Sequence, residues 1–285
     1  MNYRHAFHAG NFGDVLKHVV LLELLSALHR KPSPVHLIDT HAGIGLYDLT
    51  ASEAQRGGEY RLGVGAVLAD AAAARILPDY VSALKALNPE LGPGGSGLLR
   101  YPGSPWLLKQ ALRNDSDRLT LCELHPQDAA TLKRNMGRDP RIGIHHRDGF
   151  EALRALTPPT PRRGLALVDP AFEAKDEFAT LGRSALAGHK RWTTGLLAVW
   201  YPIKEQKGIE RWKAELAGAL TVETLAVELT VRPAKEPRQM NGSGLVLVNP
   251  PWQLAEALRP MLDFLQSRLA REPGGGARIE TLVRG

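Results

Sequence analysis

Seven short apolar runs, rich in Val, Ile, Leu and Thr, punctuate the chain. They are "VHLIDT" at 35, "LTLCELH" at 119, "IGIHHRD" at 142, "GLALVDP" at 164, "TGLLAVWYP" at 194, "TVETLAVELTV" at 221 and "SGLVLVNPP" at 243. Several are apolar on both faces, as strands covered by helices on each side should be. Stretches with helical spacing, such as "PQDAATLKRNM" and "ERWKAELAGAL", separate most of them. The alternation predicts an α/β fold with a doubly wound, mostly parallel sheet of seven strands. Strands six and seven are joined only by "RPAKEPRQMNG", which has no helical period, so they are expected to pair antiparallel. About eighty residues lie between strands one and two, far more than one crossover needs. Within them, about 46–100 is rich in Ala, Leu and Gly, with helical patterns near 66–76 and 78–87. That stretch reads as a small helical insertion in a single domain spanning 1–285, and "PGGGA" near 273 as a flexible connection to a short tail.

The 285 residues are 44% hydrophobic, ample for a sizeable core. No run has the length and apolarity of a membrane span. "VVLLELLSAL" contains Glu23, follows Lys17 and His18, and lacks the ordered regions of a signal peptide. The single Cys122 excludes an intrachain disulfide and a cysteine zinc cluster, and in "LTLCEL" it reads as a small core filler. A soluble cytoplasmic protein is expected. A net charge of +6 favours a polyanionic partner. Basic residues gather in loops, as Arg162 with Arg163, Lys204 with Lys207, and Arg232 with Lys235 and Arg238. Any one of these groups alone reads as a solvated surface.

The strand ends carry the chemistry. In such a sheet, ligands bind outside the carboxyl ends of the parallel strands. Strand one ends in "DTHAGIG", Asp39 to Gly45, strand two in Glu123, strand three in Asp148-Gly149 and strand four in Asp169-Pro170. Glycines let the backbone approach a ligand, and Glu123 suits a ribose diol. A nicotinamide cofactor wants G-x-G-x-x-G followed by an acid about twenty residues on. Here Gly43-x-Gly45-x-x-Asp48 lacks the third glycine and the acidic tip comes far too late. His5 and His8 lack a third partner at ligand spacing, so no metal is expected.

At this level the chain resembles the class I S-adenosylmethionine-dependent methyltransferases, whose sheet has seven strands with the last antiparallel. "DPAF" at 169–172 is similar to their amino-methyltransferase motif, Asp/Asn-Pro-Pro-aromatic, with Ala171 in place of the second proline. "YRHAFHAGNFGDVLKH" at 3–18, "LIDTHAGIGLY", "YPGSP", "CELHP" and "RRGLALVDP" together resemble the RlmJ family of bacterial 23S ribosomal RNA adenine-N6 methyltransferases, over nearly the whole chain. The resemblance implies S-adenosyl-L-methionine as cofactor, S-adenosyl-L-homocysteine as its product, and no metal. It implies 23S rRNA free of most ribosomal proteins as substrate, and a monomer. It places His18, His41, Gly43, Ser104, Glu123, Asp148, Gly149 and Asp169 at cofactor-contacting positions. Asp169, Pro170 and Phe172 become the catalytic tip, and Tyr3, Arg4 and His5 the substrate contacts.

The residue chemistry agrees. Adenine's amine is a poor nucleophile because its lone pair is delocalised into the ring. A carboxylate and a backbone carbonyl, each accepting one N–H, turn that lone pair toward an electrophile, and an aromatic ring holds the flipped base. Asp169, the Pro170 carbonyl and Phe172 fit these roles. Asp148 suits the cofactor's adenine amine, and His18 is read as opening a helix whose positive end faces the cofactor carboxylate. Lys17 is a weaker candidate for the same region. Tyr3, Arg4, His5, Phe7 and His8 mix aromatic and basic groups, as nucleotide contacts do. "NPPW" at 249–252 matches the written motif better than "DPAF" does. An antiparallel seventh strand, however, places it on the rim opposite the cofactor, where it reads as a strand terminator. Two alternatives stay open: an amino-methyltransferase for DNA adenine or another amine, and a catalytically silent RNA-binding module. The 232–242 loop is expected to be mobile without RNA.

Overall fold

The structure, a computed structural model, describes residues 4–174, 176–235 and 239–285. The strands are β1 (His36–Asp39), β2 (Leu46–Asp48), β3 (Arg100–Pro102), β4 (Arg118–Glu123), β5 (Ile142–His146), β6 (Gly164–Val168), β7 (Leu196–Ile203), β8 (Thr224–Thr230), β9 (Gly242–Val248) and β10 (Gly276–Val283). Eight of them form one sheet in the order β5-β4-β1-β6-β7-β9-β8-β10. The half from β5 to β7 is parallel, whereas β9 runs antiparallel to both β7 and β8.

The apolar runs follow from burial on two faces. Leu165 and Leu167 of β6 belong to one apolar cluster, and Ala166 and Val168, pointing the other way, to a second. Leu245 and Leu247 of β9 part from Val246 and Val248 in the same manner. The first cluster is roofed by α1 (Phe12–His29) and α2 (Leu254–Leu269), and the second by α3 (Glu177–Arg191) and α4 (Gln206–Ala219). No helix among the described residues is long and apolar enough to cross a membrane.

Three expectations need correction. The sheet has an eighth strand: 276–283 is not a tail but β10, paired antiparallel to β8 from Gly276↔Thr230 onward. Its charges hide its strand pattern and yet fasten it. Arg278 pairs with Glu228 and Glu210, and Glu280 lies 2.7 Å from the buried Lys213 ammonium. Residues 46–102 are not purely helical either, because β2 and β3 close the segment as a two-stranded antiparallel ribbon. Its buried Val64, Val67, Tyr80 and Leu84 join the same cluster as α1. His18 does not open a helix. α1 begins at Phe12, after Asn11, whose side chain accepts from the Asp14 N–H, and His18 sits in the second turn.

"NPPW" follows β9 at the rim where the parallel strands begin. Asn249, at φ 56°, donates to the Thr193 and Gly195 carbonyls at 2.8 and 2.9 Å, closing the entry to β7. It is a structural staple on the far rim.

Candidate active site

The strand order reverses between β1 and β6, since β4 continues one way from β1 and β6 the other. At such a switch point the two carboxyl ends splay and leave a crevice. Asp39 ends β1 in register with Leu167, so Asp169, two residues on, stands beside it. These two acids are the centre of the site.

Helix α1 delivers a third and a fourth charged group. Asp14 and Lys17 lie one turn apart on one face of the helix, and their side chains are 2% and 6% exposed. The Lys17 ammonium donates to Asp14 Oδ1 at 2.9 Å and to Asp169 Oδ2 at 2.6 Å. His5 Nε2 lies 2.8 Å from Asp14 Oδ2, which also accepts the Gly10 N–H at 2.9 Å. A continuous chain of contacts therefore runs from His5 through Asp14 and Lys17 to Asp169. Burial by itself pushes the Asp14 carboxyl up, but His5 and Lys17 outweigh it and hold the group well below its usual range. Burial likewise pulls Lys17 down, and Asp14 and Asp169 reverse this to keep it firmly cationic.

Asp39 behaves in the opposite way. Burial pushes its carboxyl up to about 7, with Asp169 adding to the rise while the Ser104 hydroxyl, the His41 N–H and Lys17 pull against it. Its Oδ1 accepts the His41 N–H at 3.2 Å, while the buried Oδ2 has no hydrogen-bond partner among the described residues. A folded-state value above the unfolded one near 4 makes the acid favour folding only while protonated. Its contribution is complete below about pH 4 and is lost as pH rises to about 7, on the order of 4 kcal/mol at most. Asp39→Asn should therefore match wild type in urea unfolding near pH 4 and exceed it in stability near pH 7.5. Parallel stability curves across that range would remove the assignment.

The remaining positions fall around this centre. Gly43 (φ 60°) and Gly45 (φ 76°) are both left-handed, and a Cβ on Gly43 would lie 2.6 Å from the Tyr47 hydroxyl. The Gly43 and His125 N–H groups donate to Glu123 Oε2 and Oε1, each at 2.8 Å. Each carboxylate oxygen has a second lone pair left for a diol. Burial raises the Glu123 carboxyl despite these bonds. Asp148 caps the helix over Gly149–Leu156, its Oδ1 accepting the Glu151 N–H at 2.9 Å. Gly149 is tight against protein, because a Cβ there would meet the Thr40 carbonyl at 2.1 Å and the His41 ring at 2.7 Å. His41 packs edge-on to Phe150, and burial lowers it to about 4. Buried His18 stacks on Tyr101, with Nδ1 3.0 Å from the Tyr101 hydroxyl and Nε2 without a hydrogen-bond partner among the described residues. Burial, helped by Lys17, lowers it to about 3, so it is a neutral ring and not a cation.

Phe172 takes φ 54°, an uncommon backbone for a bulky residue, and packs half-buried against Phe178 and Trp200 at 4.8 and 5.8 Å between centroids. Arg4 is exposed and donates to Gln127 at 3.3 Å, and His5 packs edge-on to Tyr47. Tyr3 and Arg238 lie outside the described residues. Among those described, no three His, Cys, Asp or Glu side chains gather where they would hold a metal ion. Asp14 carried no role in the sequence reading, and Asp39 entered it only as the tip of strand one. The signal available for Asp14 was its spacing to Lys17 and His18, which places all three on one helical face.

A parallel half-sheet with acids at its switch point, and the antiparallel β9 inserted between β7 and β8, is a sheet of the class I methyltransferase architecture. Residues 32–283 match the family described as ribosomal RNA large subunit methyltransferase D, RlmJ, and the chain belongs to that family. It is 37% identical over 283 residues to the ribosomal RNA large subunit methyltransferase J of Haemophilus influenzae, covering 99% of each chain. The Escherichia coli protein of the same name is 37% identical over 284 residues, again with 99% of each covered. A crystal structure of a Legionella pneumophila protein matches with a TM-score of 0.82 at 32% identity, covering 96% of this chain and 98% of that one.

Proposed function

We propose that the protein transfers a methyl group from S-adenosyl-L-methionine to N6 of an adenine in 23S ribosomal RNA. The observation that carries this reading is Asp169-Pro170 at the tip of β6, with one Asp169 oxygen pinned by Lys17, and with Phe172, left-handed at φ 54°, three residues on. Asp169 Oδ1 and the Pro170 carbonyl accept the two amine N–H groups, and the lone pair, freed from the ring, points away from both. Lys17 fixes the carboxylate plane from the opposite side, so little reorganisation is needed when the amine arrives. Asp169 Oδ1 is also placed to receive the amine proton. The Phe172 ring offers its free face to the base.

The residues around the crevice fit the cofactor. Among the described residues buried Asp39 Oδ2 and His18 Nε2 lack hydrogen-bond partners, Glu123 has lone pairs to spare, and left-handed Gly43 keeps the β1 turn free of a side chain. When bound there, the cofactor supplies a methyl group on a sulfonium, an electrophile that needs no metal. His18, His41, Gly43, Ser104, Glu123, Asp148, Gly149 and Asp169 would hold it. Arg4, His5 and Tyr3 meet the RNA. The reading takes the substrate as rRNA largely free of ribosomal proteins, met by a cytoplasmic monomer.

The test is transfer of labelled methyl to unmodified 23S rRNA and, in parallel, to duplex DNA containing adenine, followed by digestion to nucleosides. N6-methyladenosine from the RNA alone supports the reading, and label in DNA or in another nucleoside replaces it. Asn249→Ala in the same assay should remain active per folded molecule while losing about 1–3 kcal/mol of stability with its two carbonyl bonds. Loss of transfer by a folded Asn249→Ala protein would move the catalytic tip to strand β9.

A further inference from the structure

Two features stand apart from the active site: the "NPPW" turn and the Arg162-Arg163 pair. The fold brings them together on the far rim, where the parallel strands begin. Ala27, Leu28, Arg30, Lys31, Arg163, Thr194, Asn249 and Trp252 border an open groove of about 360 Å³ there, a volume within the range of single-ligand sites.

We propose that this groove is a second RNA contact, in which Trp252 stacks on an unpaired base and Arg30 and Lys31 hold the adjoining phosphates. It rests on the proposed RNA substrate and extends its footprint. Trp252 is 77% exposed and is the one exposed ring among the five tryptophans. Two left-handed residues, Asn249 and Gln253, bracket the turn that projects it. Exposed aromatic faces beside cations are what single-stranded RNA recognition uses, since every base has a face to stack.

The charge of the groove has one sign. Its border holds three cations and no acid, and neither Arg30 nor Lys31 has an ion pair among the described residues. The carbonyls ending α1 would ordinarily repel an anion here. One of them is already covered, because Arg163 donates to the Leu28 carbonyl; just past the helix, Arg163 and Arg113 both donate to the Ser33 carbonyl and Arg113 to that of Lys31. That engagement of Arg163 leaves Arg30 and Lys31 for phosphate. The groove also borders the start of α2, where no side chain caps the first N–H groups. Gly164 at the groove and Asp169 at the catalytic tip are the two ends of β6, about 17 Å apart at strand rise. β6 is buried along its whole length, so an RNA that touches both rims passes over the helices covering the sheet and is longer than that span.

The experiment titrates the full chain with a ten-nucleotide oligouridylate, which carries no methyl acceptor, and follows tryptophan fluorescence. Wild type should be quenched, and the quench should vanish in Trp252→Phe. Affinity should fall at least tenfold in Arg30→Glu/Lys31→Glu, with a shallower salt dependence. On a long 23S rRNA fragment the double variant should lose about tenfold in kcat/KM, while a minimal hairpin bearing the target adenine is methylated as by wild type. No quench, or a quench that survives both variants, overturns the groove. If wild type methylates rRNA but the groove variants bind and turn over long RNA normally, the groove falls and the proposed activity stands. If wild type is quenched through Trp252 yet methylates no RNA, the activity falls and the groove stands.

Discussion

Asp169→Ala should abolish methyl transfer to rRNA, lowering kcat/KM by about 10²–10³-fold or more, while S-adenosyl-L-methionine still binds. The size of the loss follows from what the side chain does: removing one preorganised partner of the reacting group from a water-poor site costs on that order. Asp169→Asn separates the geometric part from the charge. It keeps one oxygen acceptor for the amine N–H but gives Lys17 a neutral partner, so it should fall between wild type and Asp169→Ala. The change relieves Asp39 as well, because Asp169 is among the groups that raise its carboxyl. Either variant retaining wild-type kcat/KM, measured by label incorporation, would remove Asp169 from the reaction.

Lys17→Met should produce the largest loss of stability of any single change at the site. Its ammonium is the shared partner of buried Asp14 and of Asp169. Without it, Asp14 keeps the His5 ring and the Gly10 N–H, and Asp169 loses the ammonium that pins one of its oxygens. Removing one partner of a buried ion pair typically costs about 3–5 kcal/mol, because the charge left behind has no solvent. The loss should be greatest above about pH 4, where Asp14 is ionised in the unfolded chain, and should shrink in acid as the carboxyls protonate. Pairing Lys17→Met with Asp14→Asn should recover much of the stability, since a neutral pair replaces a stranded charge. Methyl transfer should stay depressed in the double variant, because the Asp169 plane remains unanchored. Urea unfolding and label incorporation on the same preparations read the two effects separately. Stability of Lys17→Met equal to wild type would show that Asp14 and Asp169 do not depend on the ammonium.

The sheet was legible because burial on both faces leaves an uninterrupted apolar run such as "LALV", which no exposed helix tolerates. The antiparallel pairing of β8 and β9 was legible from a connection too short and too irregular for a crossover. β10 was not: Arg278 and Glu280 break its period, and what neutralises them, Glu228 of β8 with Glu210 and Lys213 of α4, lies more than forty residues away in the chain. His18 was placed on the right element but at its start, whereas it lies in the second turn. Its charge depends on burial against Tyr101, a residue 83 positions later.

The sequence by itself determined the fold class and the antiparallel pairing that sets "NPPW" on the rim opposite "DPAF", because these depend on local period and on the length of the connections. Only the tertiary structure decided that Asp39 and Asp169 are neighbours, and that Lys17 reaches 152 residues along the chain to hold Asp169. Charge pairing and carboxyl ionisation depend on distance and on exclusion of water, and both are properties of the packed chain.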